Sequence, residues 1–215
     1  MGKINGQEDL QDVPPKVRQM YKAVIEMLEE GVDVAGIRVS TITERAGIGK
    51  GTAYEYFDSK EEIVVCAMVY QIKWMFHWLE SVLEEKESFK DQLSFLMDVI
   101  EKKDMRMSCF LRFVHMMTDN SEFSRTVREK INSEAFGPWQ PVRVLGRILQ
   151  RGIERGELRE DLPVEYMIYC VFSHLLTYIL ATTTEECYSS DLEVIKALAC
   201  QGVADEIGRK NNIRE

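Results

Sequence analysis

The densest run of side chains able to do chemistry lies between Ser40 and Lys60. The ammonium groups of Lys50 and Lys60 and the hydroxyls of Ser40, Thr41, Thr52, Tyr54 and Tyr56 all donate to anionic oxygens, and Gly51 lets a backbone approach a ligand closely. Phosphate is the anion such a set suits. The run from Gly47 to Thr52 imitates a nucleotide-binding phosphate loop. The imitation fails, because Gly51 follows the lysine where Ser or Thr is required and no strand precedes it. Elsewhere no nucleophile with an adjacent base can be assembled from the spacings, so neither catalysis nor a cofactor is expected. The cysteines Cys66, Cys109, Cys170, Cys187 and Cys200 are scattered, odd in number and never in a CxxC or Cys/His ligand spacing. That pattern suggests neither a disulfide framework nor a structural zinc site. His77, His115 and His174 lack an HxxxH pair and acidic neighbours in register. They read as structural residues, and no metal is expected.

These donors need elements that hold them. After Pro14-Pro15, the residues Val17, Met20, Tyr21, Val24, Ile25 and Leu28 have the spacing of an amphipathic helix, ended by Gly31. Two short helical segments follow, Val39 to Ala46 and Lys50 to Phe57, broken at Gly47-Ile48-Gly49. Two short helices joined by a tight glycine turn and braced by neighbouring helices is how a helix-turn-helix looks in sequence. Gly47 supplies the positive φ of the turn, and Ile42, Ala46, Ile48, Ala53 and Phe57 are the positions that pin both helices to the first. Asp58 and Ser59 are both good N-caps for a long helix, Lys60 to about Glu85, with Ile63, Ala67, Tyr70, Trp74 and Trp78 on its apolar face. Further helices are predicted near Ser88 to Lys103, Met107 to Thr118, Glu122 to Glu134, Val142 to Arg155, Val164 to Ala181 and Asp191 to Gly208. The fold class is all-α, with about nine helices.

The ordered run from Val39 to Ile63 resembles the DNA-binding signature of the TetR family of bacterial transcriptional repressors. The Ala46-Gly47 pair, the Gly51-Thr52-x-Tyr54-x-Tyr56-Phe57 run and Ser59-Lys60-Glu61-Glu62 carry the resemblance. Arg38 stands where the family often has a capping Thr, which leaves the cap of the second helix to Ser40 or to the backbone, and Gly49 replaces a frequent Ser. The resemblance implies a three-helix head at residues 1–60 and an effector-binding and dimerisation domain at residues 61–215. In such a head Lys60, Ser40, Thr41, Thr52, Tyr54 and Tyr56 suit DNA phosphates. Lys50 suits guanine O6 and N7, and Glu55 a cytosine amino group or solvent. For Tyr54 and Tyr56 a packed ring with an outward hydroxyl is expected.

The family's body pairs its last two helices with those of a second subunit. Tyr166 to Ala181 is apolar almost all round, and Leu192, Ile195, Ala199, Val203 and Ile207 form a stripe in the final helix. Tyr166, Tyr169, Leu176, Leu192, Ile195, Ala199 and Val203 are therefore the expected dimer residues. A two-fold pair of heads reads two half-sites about 34 to 36 Å apart, hence a palindromic operator. The body also holds Tyr70, Trp74, Trp78, Phe110, Phe113, Met117, Tyr169 and Phe172, a set suited to a small apolar or amphipathic effector. Such a stripe is also what plain core looks like.

Composition adds a constraint. The net charge of −9 argues against DNA for the chain as a whole, but residues 16–60 carry seven Lys and Arg against seven Asp and Glu. The surplus negative charge lies mostly elsewhere. The N-terminus lacks an apolar signal region, and no stretch reaches the roughly 20 apolar residues of a membrane span, so a soluble protein of the reducing cytoplasm is expected. An activator of the same fold is the alternative within the family. A helical protein-interaction module without DNA binding would explain the amphipathic helices and the acidity, but not the motif around Lys50 and Lys60.

Overall fold

The computed structural model describes residues 3–102, 105–183 and 191–209. Helix α1, Pro15–Glu29, starts on the proline, whose missing N–H is harmless in a first turn, and buries Val17, Met20, Tyr21 and Val24. A short 3-10 turn, Val34–Gly36, leads to α2, Val39–Arg45, and α3, Lys50–Tyr56. Gly47, at φ +66°, makes the reversal between them, in the left-handed region that costs a side chain strain. Ile42, Ala53 and Phe57 are buried in one cluster with α1, and Ala46 and Ile48 pack against it.

The long helix α4, Lys60–Glu84, begins in a reciprocal cap. Ser59 Oγ accepts from Glu62 N at 3.1 Å, and the Glu62 carboxylate accepts from Asp58 N at 2.7 Å. From Ile63 to Val69 every residue of α4 is buried. The single apolar stripe expected there is instead a helix covered all round in its first half, with Trp74 turned outward. The remaining helices are α5, Phe89–Glu101; α6, Met105–Thr118; α7, Glu122–Asn132; α8, Pro141–Glu154; α9, Val164–Thr183; and α10, Leu192–Ile207. A second 3-10 segment, Glu134–Trp139, follows α7. Among the described residues there are ten α-helices and no named strand.

The chain divides into two compact units, Met1–His77 with Ser108–Gln140 and Trp78–Met107 with Pro141–Glu215. A functional boundary after residue 60 does not coincide with them, because α4 runs unbroken from the first unit into the second.

In the first unit, residues 3–13 form a strap that the sequence did not announce. Lys3 Nζ donates to Tyr54 O at 3.0 Å and pairs with Asp58 at 2.6 Å, while Ile4 N donates to Tyr56 O at 3.0 Å. Lys130 Nζ donates to Asn5 O at 2.7 Å. Lys73, 1% exposed, donates to Glu8 O at 3.0 Å and Gln7 O at 3.3 Å and lies 5.0 Å over the Phe136 ring. Burial lowers its pKa, with Asp9 and Glu8 opposing. The strap thus ties the end of α3 to α4 and α7.

In the second unit α9 packs on α10, α8 and α5. Glu80 accepts from Arg147 at 2.6 and 2.7 Å and from Arg151 at 3.1 Å, and Arg147 chiefly holds its carboxyl below the usual range. Lys196 bridges Asp98 and Glu101 at 2.7 and 2.8 Å, and Tyr178 donates to Glu101 at 2.5 Å. Two sequence expectations change here. Ala199 and Val203, expected at a dimer interface, are 4% and 0% exposed within this unit, because the stripe of α10 faces its own neighbours. Helix α9, at 20 residues and mean hydropathy 1.4, is long and apolar enough to cross a membrane by composition alone, contrary to the reading that no stretch reached that length. Four cysteines are free, and Cys187 lies outside the described residues.

Replacing Lys73 by Met keeps the stem but leaves two carbonyls without their donor. A loss of about 2 kcal/mol in urea unfolding is expected, together with faster amide exchange at Ile4; unchanged exchange there would show that the strap does not depend on Lys73.

Candidate nucleic-acid interface and effector cavity

The head presents its cations where helix starts meet. The 3-10 turn and the first residues of α2, α3 and α4 surround an open hollow of about 500 Å³ whose polar side chains are Arg38, Ser40, Lys50, Tyr54 and Lys60. Three cations and two hydroxyls line it, and no carboxylate does. Lys60 Nζ donates to Ala35 O at 2.9 Å and lies 3.8 Å from Glu61, which fixes the ammonium at the rim. Lys50 stands 6.0 Å from the Tyr54 ring, which is 47% exposed. The other head cation near the turn, Arg45, is engaged by Glu30 at 2.7 and 2.5 Å. Helix α3 starts on Gly49 without a side-chain cap, so its first amides remain available to an anion.

Four of the residues singled out by sequence, Ser40, Lys50, Tyr54 and Lys60, are brought together here. Gly51 and Glu55 are exposed on α3, and Thr41 and Thr52 are half-buried on α2 and α3, outside the hollow lining. Tyr56 departs from expectation. It is 2% exposed, three residues after buried Ala53 and on the same face of α3, so it is a core residue of the head rather than a surface hydroxyl. Ser40 does not cap α2: the helix starts at Val39, and Arg38 occupies the cap position with no side-chain bond. Arg38 also lines the hollow and is a residue that sequence reasoning did not count among the candidates. A missing capping Thr pointed to it, since a cation at a helix start has the wrong sign for the dipole unless an anion is its partner.

A second space, a cavity of about 450 Å³, lies in the first unit between the 3-10 turn, the start of α4 and the α6–α7 corner. Val34, Val64, Met68, Met116 and Phe123 give it an apolar wall, and Lys60, Arg112 and His115 contribute cations or potential cations. Asp33, Glu61 and Asp119 also reach it. Arg112 pairs with Glu29 at 3.4 Å. Asp119 is held down to about 2 by hydrogen bonds from Ser121 and Ser124. Lys60 and Ala35 line both this cavity and the hollow, so their hydrogen bond is a wall common to the two.

None of the eight aromatic and methionine residues expected around an effector lines this cavity. Tyr70 packs on Tyr21 with ring centroids 5.3 Å apart, Phe113 is edge-on to Phe76 at 5.2 Å and Trp78 is tilted against Phe95 at 6.1 Å. Trp74, Met117 and Tyr169 are exposed, and Phe110 and Phe172 are half-buried. Trp78, Tyr169 and Phe172 belong to the second compact unit and the other five to the first.

A glycine-turned pair of short helices, packed on a third and bearing a cationic hollow free of carboxylates, defines a helix-turn-helix DNA-binding regulator of transcription. Over residues 23–65 the chain matches the family model for bacterial regulatory proteins of the tetR family. It is 28% identical over 163 residues to the fatty acid metabolism regulator protein of Bacillus subtilis (strain 168), covering 74% of this chain and 78% of that protein. Its fold is similar to that of FadR from Bacillus subtilis in complex with stearoyl-CoA, with a TM-score of 0.60, 21% identity and coverage of 86% and 96% of the two chains. The fatty acid degradation regulator FadR from Bacillus halodurans is similar at a TM-score of 0.61, 19% identity and coverage of 94% and 98%.

Replacing Arg38 or Lys60 by Ala should weaken binding to every DNA sequence by about tenfold and lower the slope of log K against log salt by about 0.9 for each phosphate contact removed. Lys50→Ala should instead change preference among operator variants. Filter-binding titrations at several salt concentrations check both, and an unchanged salt slope in Arg38→Ala would remove that residue from the interface.

Proposed function

We propose that this protein is an effector-released repressor that binds a palindromic operator as a homodimer in the bacterial cytoplasm. The observation that carries the reading is the hollow of Arg38, Ser40, Lys50, Tyr54 and Lys60 on an otherwise acidic chain. It offers phosphate a local site that the net charge does not. Dimerisation is supported by apolar side chains left on the outer faces of α9 and α10. Tyr166, Tyr169 and Leu176 are exposed, Tyr169 by 71%, as are Val194 and Leu198. Leu192 and Ile195 are half-buried and complete that face. Such a patch is larger than isolated surface residues need explain. The kinship with regulators supports a non-enzymatic role.

The effector we assign is a long-chain acyl thioester, on the strength of the fatty acid metabolism regulator and the stearoyl-CoA complex among its relatives. The cavity beside Lys60 suits such a ligand better than the aromatic set, because it offers open apolar space with cations at its edge. An anionic effector group that engages Lys60 withdraws it from DNA phosphate. The effector therefore prefers the DNA-incompetent arrangement, and that difference in affinity sets the size of the response.

Gel-shift titration with the DNA upstream of the protein's own gene tests the first part: binding at low salt is expected, and its absence overturns the repressor reading. Stearoyl-CoA should then release the DNA where free coenzyme A does not. His115→Trp, at an exposed position on the cavity, should keep operator affinity within about threefold while raising the acyl-CoA needed for release by about tenfold. Full sensitivity in that variant would place the effector elsewhere.

A further inference from the structure

Helices α9 and α10 bring together three side chains whose donor types match a borderline metal ion. Cys170 and His174 are four residues apart and so share one face of α9, and Glu206 approaches from α10. Their ligand atoms all lie within 4.8 Å of one another. We propose that Cys170, His174 and Glu206 form a divalent-cation site of the zinc type that joins α9 to α10.

The orientation of the imidazole supports it. His174 Nδ1 lies 2.9 Å from Cys170 O, and a carbonyl can only accept, so Nδ1 is the donor there and Nε2 is the nitrogen left to face a metal. This is the arrangement in which a metal-binding histidine is held by its second nitrogen. Nε2 points at α10, where a β-carbon on Gly202 would stand only 2.3 Å from it. A glycine inside a helix weakens that helix, and here its effect is to admit the ring to within reach of Glu206, one turn further on.

The environment fits as well. Cys170 is buried, His174 half-buried and Glu206 exposed, which leaves a route for the ion and a position for water beside three protein ligands. Tyr166 Oη stands 3.5 Å from Glu206 Oε2 and limits where that carboxylate points. A thiolate and a carboxylate with a neutral imidazole balance the two positive charges of the ion. The thiol proton leaves when the metal binds, because a coordinated thiol is deprotonated. Bond lengths of about 2.0 to 2.3 Å require the three donors to close to roughly 3.5 Å from one another. Rotation of the exposed Glu206 side chain supplies most of that movement. The expectation that no cysteine stands in a Cys/His ligand spacing overlooked Cys170 and His174, four residues apart on α9, and only Glu206 is joined to them by helix packing alone.

The test uses the full-length protein, stripped with a chelator and titrated with Co²⁺ and then Zn²⁺. One Co²⁺ per chain is expected, with a thiolate-to-cobalt charge-transfer band that Zn²⁺ abolishes by displacement. Cys170→Ser should lose the band, and His174→Ala and Glu206→Gln should each weaken binding by about tenfold or more. Zn²⁺ should raise the Tm of the wild type by several degrees and that of Glu206→Gln by less at the same metal concentration. A folded wild type without the band, or a band that persists in Cys170→Ser, overturns the proposal. If Cys170→Ser does not fold, Glu206→Gln decides: binding within twofold of wild type in that exposed variant equally overturns it.

Discussion

The hydrogen bond from Lys60 Nζ to Ala35 O is the joint on which the DNA-binding side of this molecule turns. Lys60 is the first residue of α4, and Ala35 lies in the turn that precedes α2. The cap made by Ser59 and Glu62 sets the direction of α4, and the hydrogen bond then fixes where the head's turn lies against it. The arrangement has two consequences. It leaves the Lys60 ammonium at the rim of the cationic hollow, and it makes the same side chain part of the neighbouring cavity. If Lys60 meets phosphate as proposed above, a change of fractions of an ångström at the start of α4 would reach that contact without passing through the rest of the body. Packed interiors shift between discrete arrangements rather than deforming smoothly, which is what the proposed release by an effector would require of this joint.

Charge explains why the contact surface is so narrow. With a net charge of −9, the chain as a whole repels a polyanion. The head avoids this in part by pairing its cations selectively. Arg45 is neutralised by Glu30, and Lys3 by Asp58, whereas Arg38 and Lys50 face the hollow together with Lys60. Within a Debye length of about 8 to 10 Å these near charges dominate over distant acids, which salt screens. The acidic remainder also disfavours non-specific adhesion to nucleic acid.

The parts of the fold legible in the sequence are those whose cause is local. Gly47 announces its turn because only a residue tolerant of positive φ fits there, and the reciprocal cap of α4 is written in Ser59 and Glu62. The helix periods follow from which side chains are apolar. What stayed hidden depends on packing between distant segments. Tyr56 has the composition of a phosphate contact, but the register of α3 against α1 decides that it is core. Residues 3–13 look like a polar leader, yet Lys73, Lys130 and the carbonyls at the end of α3 convert them into a strap. The aromatic set was visible as a set, but composition cannot tell ring stacking from the wall of a cavity.

The α9–α10 pair shows the same limit on a larger scale. Both helices are apolar on more than one side, and from sequence alone the stripe Ile195, Ala199, Val203 and Ile207 is the natural choice for a partner. The structure gives Ala199, Val203 and Ile207 of that stripe to the chain's own interior, since Ala199 and Gly202 are small enough to let α9 close on α10. The outward face is left to Tyr169, Val194 and Leu198, the last 65% exposed. Apolar area of this kind in a helix with the composition of α9 is costly in water, at about 25 cal/mol for each Å². In the proposed dimer a second copy of the same pair would cover it symmetrically, because an isologous contact needs one patch only. Small residues inside and large ones outside are thus two requirements on one pair of helices: the first brings Cys170, His174 and Glu206 together, and the second leaves a surface for the two-fold partner of our proposed repressor.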